Sequence, residues 1–303
     1  MNLIALLIGL VVESLATQLF HWRRMRWLDR IIDSGLALGR RLATWPPLLL
    51  VVLLAIGLVL PVFAVIVILG GTLAGFTYLL LAIVVLFFSL GPHDIGEDVD
   101  EYCAALLSEE EDDILSAANA IVEGDVPEDQ LQRIHCVEQS VCVQANNRLF
   151  AVIFWFMLLG PLAAWAYRVT DLIRRRAVFN ASRSEEDDMA AVRMRDAAVT
   201  LHGVLAWVPA RLTAIGYATA GNFDDAIAAL RAPAEQADAT LSEHNELLLA
   251  RVGVAALGLQ DNTDESMTER GARGAAAANR LVFRLLLIWA VIISAMTLYG
   301  LTQ

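Results

Sequence analysis

An all-α fold that crosses a membrane several times is the class this sequence predicts, on three observations. Of its 303 residues, 57% are hydrophobic, above the about 45–50% usual in soluble globular chains. The excess is gathered into a few blocks almost free of charge, and the longest, 46–92, holds no charged residue at all. Between the blocks, apolar residues recur at helical spacing, as in Ile114, Leu115, Ala118, Ile121 and Val122.

Residues 1–20 are apolar apart from Glu13 and a few small polar groups. They carry no basic leader and no small-residue cleavage site, so they read as an uncleaved first helix. Glu13 is costly in lipid and is expected to face other helices or water, with Arg211 as its partner. Residues 21–45 follow, with arginines at 23, 24, 26, 30, 40 and 41 interleaved with Trp22 and Trp27. This pattern predicts an amphipathic segment at the cytoplasmic interface.

The uncharged block 46–92 is 47 residues long, and one crossing needs only about 20. It therefore reads as a hairpin, 46–68 and 72–91, opened by Pro46-Pro47, broken at Gly70-Gly71 and closed by Gly91-Pro92. Residues 93–148 are acidic and polar. Two helices are expected there, one opening after the acidic run 109–113 and one through Leu131, Ile134, Glu138 and Val141, parted by Gly124 to Pro127. Residues 149–173 form the next membrane block, with Gly160-Pro161 at its centre and Arg174-Arg175-Arg176 at its end.

That arginine triplet and the one-sided arginines of 23–41 both mark the cytoplasm. A hairpin at 46–91 returns the chain to the side it left, so the two markers conflict if 149–173 crosses once. Either Gly160-Pro161 folds the block back, or 199–220 crosses in return. Within the polar region 174–280, the stretch 199–220 is thus expected to be re-entrant or interfacial, with soluble helices after it. Residues 281–303 read as the C-terminal transmembrane helix.

The charge balance excludes several classes. A net charge of −12 argues against a nucleic-acid binder. All 22 basic residues are arginine, which removes Schiff-base and P-loop lysine chemistry. Cys103, Cys136 and Cys142 are odd in number and fit no zinc spacing, so they read as free thiols, and no metal site is expected.

The most informative stretch is 205–222, LAWVPARLTAIGYATAGN. Proline cannot continue the hydrogen-bond ladder of a helix interior, so Pro209 is expected to start or kink a helix and to place Arg211 in its first turn. An arginine there needs a carboxylate, phosphate or carbonyl partner. This stretch resembles the superfamily of AmpE and the CobD-CbiB proteins. Residues 146–168, ending in Ala166-Tyr167-Arg168, the Glu13 helix with its Trp- and Arg-rich sequel, and the tail Met296-Thr297-Leu298-Tyr299-Gly300 are similar as well.

CobD-CbiB proteins are cobalamin-biosynthesis enzymes, and that resemblance would imply clustered acids before the 150–168 block. Here Glu138 stands with Gln144, Asn146 and Asn147, and His202 and Gly203 occupy the positions before the Pro-Ala-Arg triplet. The AmpE branch is the better match. It implies an inner-membrane regulator that modulates inducible β-lactamase, linked to muropeptide recycling, rather than an enzyme. The alternative is a CobD-CbiB-like enzyme acting on a cobyric-acid-type or other phosphorylated molecule, for which Glu138, Asn147 and Arg211 should converge on one pocket. A transporter would need more polar groups at mid-depth than Glu13 and Arg211.

The candidate polar core is Glu13, Glu138, Asn146, Asn147, Arg148, His202, Trp207 and Arg211. For Asn146, Asn147 and Arg148, capping and interfacial anchoring compete with ligand binding. The expected partners are the lipid bilayer, another membrane or cytoplasmic protein and an anionic small molecule, with no nucleic acid. No cofactor is implied by any motif.

Overall fold

A computed structural model describes residues 26–42, 44–70, 76–90, 95–108, 110–184, 188–233, 239–260 and 265–299. All regular structure among them is helical, and the all-α class holds. The expected first helix, Glu13 and its pairing with Arg211, and the last residues of the C-terminal tail lie outside the described residues.

Helix α1 (Arg26–Arg41) buries Leu28, Ile32 and Leu36, spaced four apart, and leaves Trp27, Ile31 and Leu38 exposed. Asp33 ties it to the rest of the protein through a two-point ion pair with Arg176, 2.7 and 2.5 Å. Helices α2 (Pro47–Gly70) and α3 (Phe76–Ser89) follow and pack on one another. Pro61 interrupts the ladder of α2, and nearby the indole of Trp165 donates to the Leu58 carbonyl at 3.2 Å.

Helices α4 (Ile95–Ser108) and α5 (Glu111–Ile121) form a short antiparallel pair. Helix α6 (Gln130–Ala145) starts at Asp129, whose carboxylate accepts the Gln132 amide. It runs on through one wide π turn, Asn146–Phe150, into α7 (Ala151–Leu159).

Gly160 then takes a φ of 83°, a left-handed conformation that a side chain would strain. Pro161 opens α8 (Pro161–Ser182), where its missing N–H costs nothing. The chain reverses here. Tyr167 and Asn147, 20 residues apart, approach to 3.5 Å, whereas a straight helix would part them by about 30 Å. The block 149–173 is therefore folded back at Gly160, with its two halves in different helices.

Helix α9 (Met189–Ala220) is continuous through Pro209. Pro209 neither starts a helix nor places Arg211 in a first turn, because the cost of the missing N–H is offset. The carbonyl that Pro209 orphans is that of Leu205, four residues earlier, and the Trp155 indole of α7 donates to it at 3.2 Å. Helix α10 (Phe223–Arg231) is short. Helices α11 (Leu241–Leu257) and α12 (Met267–Leu298) each begin with a reciprocal capping box, Thr240 with Glu243 and Ser266 with Glu269.

Among the described residues, four helical stretches are long and apolar enough to cross a membrane: 47–68, 130–159, 189–220 and 267–297. The shorter helix 78–89 is apolar as well. Large exposed apolar side chains stand on α2 (Leu53, Leu60, Ile68), the end of α7 (Leu158, Leu159), one face of α9 (Val204, Val208, Ile215) and the later part of α12 (Phe283, Val291). At the other ends of the long helices, α6, α9 and α12 pack with α4, α5, α10 and α11 into a second layer rich in charged side chains. The chain is thus a polytopic helical membrane protein with a polar helical layer.

Candidate functional site

A buried charge network at the edge of the polar layer is centred on Asp171 of α8, whose side chain is fully buried. Three arginines reach it from its own helix: Arg168 at 2.8 Å, Arg174 at 3.0 Å and Arg175 at 2.9 Å. Their offsets of three and four residues put all four side chains on one helix face. Burial alone would push the Asp171 carboxyl up, but Arg175, Arg174 and Arg168 override it and hold it well below the usual carboxylate range.

Glu123, in the loop after α5, bridges two of these arginines. One carboxylate oxygen meets Arg174 at 2.7 Å and the other meets Arg175 at 2.5 Å. Burial again works against its ionised form, and Arg175 and Arg174 win, holding the group down to about 2. Glu246 of α11 lies 3.7 Å from Arg174. Here burial prevails and raises the carboxyl.

Two branches run from this centre. In one, Gln144 Oε1 accepts from Arg175 at 2.9 Å and from Arg148 at 3.0 Å, and Arg148 pairs with Asp98 of α4 at 2.9 Å. In the other, His202 Nε2 lies 3.8 Å from Asp171 and 3.2 Å from the Tyr167 hydroxyl. That hydroxyl faces Asn147, the Asn146 amide donates to Asn147 at 3.0 Å, and the Thr213 hydroxyl donates to Asn146 at 3.0 Å. The π turn makes this possible, because it holds Asn146, Asn147 and Arg148 together on the inward side of one long helix.

Four of the eight candidate residues lie in one connected network, Asn146, Asn147, Arg148 and His202, with Gln144 joining Arg148 to Arg175. Glu138, Trp207 and Arg211 stand apart. Glu138 is buried against α12, where it pairs with Arg270 and lies 3.4 Å from His135. Arg211 stacks 4.0 Å from the ring centre of Trp207 and donates to Asn245 at 3.0 Å. Glu138, Asn147 and Arg211 have separate partners and line no common pocket among the described residues.

A polar cleft of about 460 Å³ opens beside the network. Glu123, Gly124 and Asp125 form one lip, Gln139, Ser140 and Gln144 of α6 one wall, Glu243, Glu246 and Leu247 of α11 the other, and Arg174 reaches in from the core. The sequence singled out Arg168 only within the Ala166-Tyr167-Arg168 triplet, and Asp98, Glu123, Asp171 and Glu246 not at all. Only Asp171 carried a signal, as an acid with arginines three residues before it and three and four after it inside an apolar block. No group of histidine, cysteine or acidic side chains among the described residues is arranged to hold a metal.

Crossing helices joined to a layer with a buried arginine–carboxylate network define a polytopic helical membrane protein, and the comparisons narrow the class. The profile of the family described as regulatory signalling modulator protein AmpE matches residues 1–302, and the chain belongs to that family. It is also similar to the cobalamin biosynthesis protein CobD of Stutzerimonas stutzeri (strain A1501), 26% identical over 216 residues, which are 69% of this chain and 68% of that protein. No solved structure matches the chain.

Proposed function

We propose that this protein is a regulator in the inner membrane of a bacterium that modulates inducible β-lactamase expression. The observation that carries the reading is the AmpE family match across the whole chain. The arrangement of polar groups agrees with a transducer. A buried polar network links α4, the loop after α5, α6, α8, α9 and α11, so a change at its edge has a connected set of ion pairs and hydrogen bonds through which to act. The enzyme reading required Glu138, Asn147 and Arg211 in one pocket, and their separate partners do not favour it.

The test is a deletion strain assayed in two arms. β-Lactamase activity is measured with and without a β-lactam inducer, and growth is measured where it depends on cobalamin made from cobyric acid. Altered induction with normal cobalamin synthesis is the expected result. Normal induction with failed cobalamin synthesis overturns the proposal in favour of a CobD-like enzyme.

A further inference from the structure

We infer that the cleft beside Arg174 is a binding site for a small molecule carrying a carboxylate or phosphate group, and that Glu123 occupies the anion position until the ligand displaces it. The inference goes beyond the regulatory role and does not depend on it.

The two arginines have partners besides Glu123. Arg174, its side chain only 7% exposed, and Arg175, 25% exposed, both also meet Asp171, and Arg175 donates to Gln144, whereas Glu123, 26% exposed, sits in the connecting loop with these two arginines as its ion-pair partners. Its neighbour Gly124 has open space around it, with no heavy atom within 4 Å of where a Cβ would lie. The Glu123 carboxylate meets the two guanidinium groups with one oxygen each, the two-point geometry that a free carboxylate or phosphate reproduces.

The charge count points the same way. Without Glu123, Arg168, Arg174 and Arg175 share the one Asp171 carboxylate, with Glu246 at the longer distance of 3.7 Å. Buried cations left in that excess demand an anion. The Nε of Arg174 is buried and has no hydrogen-bond partner, so the cluster has an unused donor on the residue that lines the cleft.

The exchange is close to even in energy at the arginines, since the incoming anion restores the bonds Glu123 gives up and Glu123 returns to water. Affinity then comes from the rest of the ligand. The volume of about 460 Å³ is within the range of small-molecule sites. Asp125, Glu243 and Glu246 make the rest of the cleft acidic, so the body of the ligand has to carry amino groups beside its anion, with Gln139 and Ser140 suited to hydroxyl or amide groups.

The experiment uses the full chain in nanodiscs in low-chloride buffer, titrated calorimetrically in separate arms with inorganic phosphate and with succinate. Glu123→Gln is expected to bind one of the two at least tenfold more tightly than the unmodified protein, and the arm that responds identifies the anion. Ser140→Trp in the Glu123→Gln background replaces a wall residue that has no ion pair with the arginines, narrows the cleft and is expected to abolish the gain while the melting temperature is kept. Equal binding of both probes by Glu123→Gln and the unmodified protein, or a gain that survives Ser140→Trp, overturns the inference. Circular dichroism and gel filtration establish that each variant is folded before it is titrated.

Discussion

Helix α2 and the long helix formed by α6 and α7 are both able to cross a membrane by length and composition, and they are opposite in what covers them. In the most apolar stretch of α2, 11% is buried inside the protein, whereas in that of 130–159 the share is 67%. Yet α2 is uncharged throughout, and 130–159 contains Arg133, His135, Glu138 and Arg148. In a water-soluble fold the more apolar helix would be the more deeply buried. Here lipid stands in for the core around α2, and the protein interior is reserved for helices whose polar groups need partners. Apolarity therefore decides where a helix can reside, and the distribution of charge decides what it packs against.

The largest expected effect lies at the centre of the buried charge network. Asp171→Ala leaves two buried arginines, Arg168 and Arg174, and the partly exposed Arg175 without their shared carboxylate and is expected to cost about 3–5 kcal/mol, read as a lowered midpoint of chemical unfolding in detergent. The same carboxylate predicts a pH response. Its folded pKa lies below that of the unfolded chain, so its contribution is present above the usual carboxylate range, about 3.9, and is lost as pH falls below it. Melting temperature should hold from pH 8 to about 5 and fall below about 4, and Asp171→Asn should flatten that fall. A variant as stable as the parent would show that the arginines are solvated, and the contrast between the two layers would collapse.

Leu60→Arg tests the other side. Leu60 is 53% exposed on α2, and an arginine at a helix centre in lipid is expected to cost about 2.5–3.5 kcal/mol of insertion energy, visible as a loss of membrane-integrated protein after carbonate extraction. Leu107→Arg on α4, where Leu107 is 76% exposed, should leave insertion unchanged. Equal losses would place α4 in lipid as well.

A smaller effect is expected at Gly203, where α9 touches the start of α11. A Cβ there would lie 2.8 Å from the Ser242 backbone nitrogen, and backbone cannot yield as a side chain can. Gly203→Ala should cost about 1–3 kcal/mol in thermal unfolding. Smallest is Arg211→Ala, which loses the stack on Trp207 and the bond to Asn245, about 0.5–1 kcal/mol. A large loss of signalling from this variant with stability kept would give Arg211 a ligand role after all.

How much of this was legible follows from what each residue depends on. The helical class, the break at Gly160-Pro161 and the helices around Gly124–Pro127 are written in local composition. The meaning of Arg174 and Arg175 is not. As a triplet with Arg176 they read as a cytoplasmic marker, but the fold commits two of them to Asp171 and Glu123 and the third to Asp33. Their partners lie between 3 and 143 residues away, and no window along the chain spans that. Pro209 misled for a related reason, since the indole that compensates for it comes from Trp155 on another helix. Glu123 gave no signal because an acid in an acidic loop is the ordinary case.

The wide turn at Asn146–Phe150 has a consequence for how the gene can change. It amounts to one residue more than a regular helix would use. Removing a single codon there would let the helix close into an ordinary spiral, and because the wide turn already absorbs the extra residue, the helix on either side would keep its facing. Gln144 and Glu138 would keep their partners, and only Asn146, Asn147 and Arg148 would lose their common inward setting. Among kin of this chain, a one-residue gap at this point would thus record the loss of this polar cluster while the helix around it stayed as it is.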